Sequence, residues 1–142
     1  MRTGNIGTAR SAFYDRNPKS AFFSFSGNYN PHAVTNRGTY TVPANRSAKI
    51  EVIHLYIARY PQLVTTLSFA YGLITYTPSG GSQQQLGVVF NEDQSAFSSD
   101  RYAVSEGGTL TAGDKIDLWT FDGSTGGQCW YTLFVKLLEF DA

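Results

Sequence analysis

The pattern of apolar and polar positions is organised around residues 38–59, GTYTVPANRSAKIEVIHLYIAR. The stretch reads as a short strand, a Pro-Ala-Asn turn and a long strand, a hairpin around which the rest of the chain is organised. Successive strand side chains point to opposite sides. From Ala48 onward, Ile50, Val52, His54, Tyr56 and Ala58 therefore share one face, and Lys49, Glu51, Ile53, Leu55, Ile57 and Arg59 share the other. Both faces are apolar in the middle, as expected of a strand covered on each side by a second sheet or by a neighbouring subunit.

The same pattern marks the other strands. Residues 21–26 alternate Phe23 and Phe25 with Ser24 and Ser26 and read as the first strand. Residues 27–36 read as a loop with Asn30-Pro31 as its turn signal. Further strands follow at 63–76, interrupted or bulged at Gly72, then at 85–90 and 101–104. A turn at Ala112-Gly113-Asp114 opens another strand that runs to Phe121. Residues 122–127, DGSTGG, read as the strongest hairpin loop, and 128–138 as a last strand that is apolar on both faces. No stretch shows a helical apolar stripe. The expectation is an all-β fold of about eight strands, a jelly-roll-like or related β-barrel or sandwich.

Residues 1–20 carry no strand alternation and are punctuated by Gly4, Gly7 and Pro18. Alone, such a segment buries too little apolar surface to offset its ordering entropy. It still holds Ile6, Phe13 and Tyr14 among Arg2, Arg10 and Arg16. The division is thus an extended N-terminal arm at 1–20 and a single β domain at 21–142. The arm reads either as a frayed terminus or as a segment that orders on a partner, with these six residues as its contacts.

Composition supports the strand reading, with ten Phe, nine Tyr, two Trp and fourteen Gly in 142 residues. The formal net charge is zero but unevenly spread: +6 up to residue 60 and −6 beyond it. Either the halves interleave in the fold, or the basic end meets an acidic surface on another molecule. The bases are too dispersed to form a phosphate-binding patch, so nucleic acid is not an expected partner. No run of about 18 apolar residues exists, so no membrane span is expected. The first ten residues have no apolar core like that of a signal peptide. A lone Cys129 excludes an internal disulfide.

No catalytic signature is present. His32 lies in a loop and His54 within a strand, and neither belongs to a paired-His metal spacing. There is no G-x-S-x-G elbow and no Walker loop. Asn91-Glu92-Asp93 offers oxygens to calcium, although three loop polar residues are ordinarily just solvated. The chain is expected to be neither an enzyme nor the holder of a cofactor or metal.

Two resemblances complete the reading. G-x-Y-x-V-P at Gly38 to Pro43 and L-x-x-G-D-x-x-x-L at Leu110 to Leu118 are similar to the pattern of C1q- and tumour-necrosis-factor-like jelly rolls, whose trimers pack aromatic strands about a threefold axis. More broadly, the polar arm at Arg2 to Ser20, the TVPAN turn at Thr41 to Asn45 and the final LLEFDA resemble head decoration (cement) proteins of long-tailed bacteriophages, particularly those of thermophilic bacteria. This second resemblance implies a homotrimer on the outer capsid surface of a virion, made in the host cytoplasm. Its partners would be the major capsid protein and neighbouring decoration subunits. Ile53, Leu55, Ile57, Trp130 and Phe134 are the candidates for the oligomer interface. The alternative is a receptor- or carbohydrate-binding β module, with Trp119, Trp130 or Tyr102 exposed in a polar groove.

Overall fold

The computed structural model describes residues 17–29, 34–59, 70–91, 97–103, 109–122 and 129–142. It contains β1 (Lys19–Tyr29), β2 (Thr35–Thr41), β3 (Arg46–Arg59), β4 (Ala70–Thr77), β5 (Gln84–Asn91), β6 (Phe97–Ala103), β7 (Thr109–Thr111), β8 (Lys115–Asp122) and β9 (Cys129–Asp141). One antiparallel sheet runs β1-β9-β3-β6, and the other runs β2-β8-β4-β5. The short β7 also pairs with β3, beside Ser47 to Lys49, while β6 takes Val52 to Ala58. Thus β6 and β7 fill one strand position, and the eight positions form a jelly-roll-like β sandwich.

The core is what the two sheets enclose. Tyr131, Leu133, Val135 and Leu137 of β9 are fully buried and face Ile74, Ile116, Leu118 and Val89 of the second sheet. Burial of this kind stabilises by roughly 1.5–3 kcal/mol per large apolar side chain before entropy is counted.

Most strands follow the alternation, although β7 and the first half of β6 lie where no strand is expected, and pairing does not follow chain proximity. The expected hairpin at 38–59 is not a hairpin: β2 pairs with β8, β3 pairs with β9, and the Pro43 turn crosses from one sheet to the other. Asn45 takes a left-handed φ of 63° there, and the Arg46 amide closes the turn on the Pro43 carbonyl at 3.2 Å. DGSTGG likewise links β8 and β9, which belong to different sheets. Among the described residues only β4 and β5 pair as sequence neighbours. Turn chemistry fixes a local reversal, whereas burying two apolar sheet faces against each other decides which strands lie side by side.

The face assignment of β3 also changes along its length. Ala48 and Ile50 point inward, yet so do Ile53, Leu55 and Ile57. A register shift between Ile50 and Val52 inserts Glu51 as an extra residue and switches the inward parity from even to odd. Gly72, expected to mark a bulge, pairs regularly with Val89 and Thr120. It is small for a packing reason, because a Cβ there would lie 2.8 Å from Leu133 Cδ2. The shift in that hairpin falls on β5, between Gln85 and Gly87.

Candidate functional site

With the inner face of the β1-β9-β3-β6 sheet occupied by the core, alternation places the remaining apolar side chains of β9 outside. Trp130 is 38% exposed, and Thr132, Phe134, Lys136 and Leu138 are half-buried along the same side. The ladder sets neighbours beside each of them. Phe134 lies between Ser24 of β1 and His54 of β3, Thr132 between Ser26 and Tyr56, and Lys136 between Phe22 and Val52. Phe22, 66% exposed, packs its ring 5.9 Å from that of Phe134. Lys136 Nζ sits 6.0 Å above the Phe22 ring and 3.3 Å from Glu51, so the cation beside Phe22 is partnered, while Lys49 lies opposite Leu138 at the end of the stripe. The outcome is an aromatic-rich surface of three strands on which Lys136 is paired with Glu51. Monomeric proteins seldom leave such a surface bare.

The expected interface residues therefore divide. Trp130 and Phe134 lie on this outer face. Ile53, Leu55 and Ile57 are at most 1% exposed and pack between the sheets, so the expectation that they contact another subunit is corrected. The bulge at Glu51 is the reason, since it turns these three inward. Sequence reasoning missed Phe22, Val52, Tyr56 and Leu138, although their parity relative to Phe134 in the ladder groups them with it. The arm residues Arg2, Ile6, Arg10, Phe13, Tyr14 and Arg16, together with His32, Glu92 and Asp93, lie outside the described residues.

The opposite outer face carries a smaller cluster. Tyr71 stacks on Phe121 at 5.2 Å and meets Phe90 edge-on at 6.0 Å, a row across β8, β4 and β5. Trp119 donates its indole N–H to Thr75 at 2.9 Å. Next to it the Asp117 carboxylate is buried, accepting from Asn36 at 2.9 Å and from the Thr39 hydroxyl. These described polar groups around Trp119 thus bond within the chain.

The two motifs at Gly38 to Pro43 and Leu110 to Leu118 form one structural unit. Gly38 pairs with Leu118 and Tyr40 with Ile116 across the β2–β8 ladder. Beyond the ladder, the Val42 amide donates to the Asp114 carbonyl at 2.9 Å and the Gly113 amide to the Val42 carbonyl at 3.0 Å. Gly113 has a φ of 90°, which suits glycine. The buried Asp114 carboxylate accepts from the amides of Thr111 and Ser79 and from the hydroxyl of Tyr76. Burial alone would raise its pKa, but these hydrogen bonds outweigh it and hold the group below its ordinary value. The Tyr76 hydroxyl is pushed up, by burial and then by Asp114.

At the same end of the sandwich, Arg46 holds both ends of the domain. Its Nη1 donates to Asp141 at 2.6 Å and to the Asn17 carbonyl at 3.2 Å, and its Nε lies 3.6 Å from Glu139. Tyr40 donates to the other Glu139 oxygen at 2.8 Å. Burial, followed by the Glu139 carboxylate, pushes the Tyr40 hydroxyl above its usual range. Arg46 and Glu51 come from the basic half of the sequence, and Glu139, Asp141 and Lys136 from the acidic half. These contacts show the halves interleaving within one subunit. Among the described residues, no cluster of three His, Cys, Asp or Glu is placed to hold a metal ion.

No family model and no curated protein matches the sequence. Solved structures with a similar arrangement include infectious bursal disease virus of the Gx strain, at 11% identity and a TM-score of 0.39. That match covers 88% of this chain and 32% of the other. T=1 particles derived from infectious bursal virus match at 12% identity and a TM-score of 0.42, over 87% of this chain and 32% of the other. The VP2 subviral particle of the same virus matches at 11% and 0.35, over 87% and 33%. The chain spans about a third of the length of these proteins, and likeness at this level supports no conclusion about its role.

Proposed function

We propose that the protein is a structural component of a virus particle: a decoration protein that binds the outside of a phage head as a homotrimer and stabilises it. The observation that carries this reading is the outer face of β1, β9 and β3. There Phe22, Phe134 and Trp130 form an aromatic stripe on the sheet, with Lys136 already paired to Glu51. An aromatic strip whose Lys136 already has a partner suits burial against other copies of itself, because little desolvation of unpaired charge opposes it there. Trimer contacts along the strip would build one compact unit. The resemblance of the arm, the TVPAN turn and the C-terminal strand to cement proteins supplies the capsid as the larger partner.

The experiment is co-sedimentation of the purified protein with undecorated phage heads, followed by heating of the mixture. Retention with the heads and a raised rupture temperature support the reading. Absence from the pellet at saturating protein, with a glycan bound instead on an array, would favour the receptor-binding module.

A further inference from the structure

A histidine stands on the aromatic face. His54 lies near the middle of β3, between Val52 and Tyr56 on the outward parity that follows the bulge, and it is half-buried. The ladder sets it opposite Phe134 of β9, whose ring packs on Phe22 of β1. On its other side β6 brings Arg101 into register with it.

The charges that surround this position favour a neutral ring. On β9, Lys136 is the next outward residue after Phe134. On β3, Glu51 lies 3.3 Å from Lys136 and is taken up by it. Arg101 of β6 is the group directly across. Tyr56 is the remaining titratable neighbour on β3, and β1 offers Phe22 and Ser24 on this side. Among the described residues no carboxylate is within ion-pair distance of the imidazole. Histidine is the side chain whose charge changes between about pH 5 and 8. Neutral, it is a flat ring that packs against Phe134 and Val52. Protonated, it is a cation placed across from Arg101, and like charges directly opposite weaken a ladder. Water solvates that cation while the face is open. Under a second copy of the chain it would be a buried charge without a partner, which is costly.

We propose, on the basis of the assembly of identical chains through this face proposed above, that His54 makes that assembly pH-dependent: the neutral imidazole lets copies associate, and its protonation separates them. The sign follows from linkage. An interface that disfavours the charged form binds the proton less tightly than the open face does. Association is therefore full above the range in which the open imidazole titrates, and is lost as pH falls through it. Every chain in the assembly contributes one such group, so the responses multiply.

The test is native mass measurement of the full chain at micromolar concentration, at about pH 7.5 and about pH 5.5. The unsubstituted protein is expected to pass from trimer to single chains, with association weakened about tenfold or more per chain. His54→Gln, uncharged at both pH values, is expected to remain assembled at both. Circular dichroism at each pH establishes that the chains stay folded, and His54→Leu takes the place of the Gln variant if the latter does not fold. Equal dissociation of the unsubstituted and variant chains would assign the pH response to other groups and overturn the proposal. A trimer equally tight at both pH values would overturn it while leaving the assembly intact. Single chains already at about pH 7.5 would remove the assembly itself, and the proposal with it.

Discussion

The backbone amide of Ser79 donates to the carboxylate of Asp114 at 2.8 Å, joining the β4–β5 loop to the turn ahead of β8. One buried carboxylate therefore holds two loops that are separate in the chain. The pKa of Asp114 in the fold is below its ordinary value, because hydrogen bonds to the charged form outweigh burial. A group of this kind contributes stability that is fully present above its unfolded pKa, about 4. The contribution is lost as pH falls from there through the lower folded value. Thermal melts from pH 7 down to about pH 2 are expected to show a smaller loss for Asp114→Asn than for the unsubstituted protein, since Asn does not titrate. Parallel curves would contradict this role for Asp114.

At neutral pH the same variant is less stable. Asn replaces one oxygen acceptor with a donor, which leaves a Thr111 or Ser79 amide without its partner. Urea denaturation is expected to record a loss of about 1–3 kcal/mol. Lys115→Gln, at an exposed neighbour, is expected to change stability by less than about 0.5 kcal/mol.

Gly72 and Leu133 form a second pair with a measurable consequence. A Cβ on residue 72 would lie 2.8 Å from Leu133 Cδ2 and 3.3 Å from Val89 Cγ1. Gly72→Ala is expected to cost about 1–3 kcal/mol through overpacking. Leu133→Ala removes the clashing methyl, so the double variant is expected to lose less than the two single losses added together. Strict additivity in denaturation would show that the contact is not the cause.

Arg46 joins Asn17, Glu139 and Asp141, and so pins the start of β1 beside the end of β9. Arg46→Met keeps the apolar stem and removes the guanidinium. A loss of about 1–3 kcal/mol is expected, with faster hydrogen exchange confined to residues 17–20 and 139–142. Uniformly faster exchange across all strands would instead mark Arg46 as part of the global core.

The strands and their order were largely legible in the sequence, because period-two alternation reports burial on a sheet. The Gly113-Asp114 turn was legible too, since its chemistry is local. Pairing was not, because Pro43-Ala44-Asn45 and DGSTGG carry turn chemistry that looks the same whether the flanking strands pair or diverge into two sheets. The bulge at Glu51 had no signal either. An uninterrupted run from Ala48 to Ala58 permits both parities, and only the ladder with β9 shows where they switch. That one extra residue moved Ile53, Leu55 and Ile57 from candidate interface to core. Trp130 and Phe134 stayed outside because β9 alternates without a break from Trp130 to Leu138.

Core and outer-face substitutions are accordingly expected to separate. Leu55→Ala creates a cavity between the sheets and is expected to lower single-chain stability by about 2–5 kcal/mol. Phe134→Ser removes a half-buried ring and its Phe22 contact, and is expected to cost less in the single chain while weakening assembly. Denaturation at nanomolar concentration, compared with the same variants at tens of micromolar, distinguishes the two effects. Equal concentration dependence for both variants would remove the distinction.

In the proposed trimer the outer face of β1, β9 and β3 would be buried between identical chains. Native mass measurement at micromolar concentration tests it most directly, comparing the unsubstituted protein with Trp130→Glu/Phe134→Glu. Three times the 15.6 kDa chain mass is expected for the former and a folded single chain for the latter. A single-chain mass for both, or a trimer that survives two charges on this face, would contradict it.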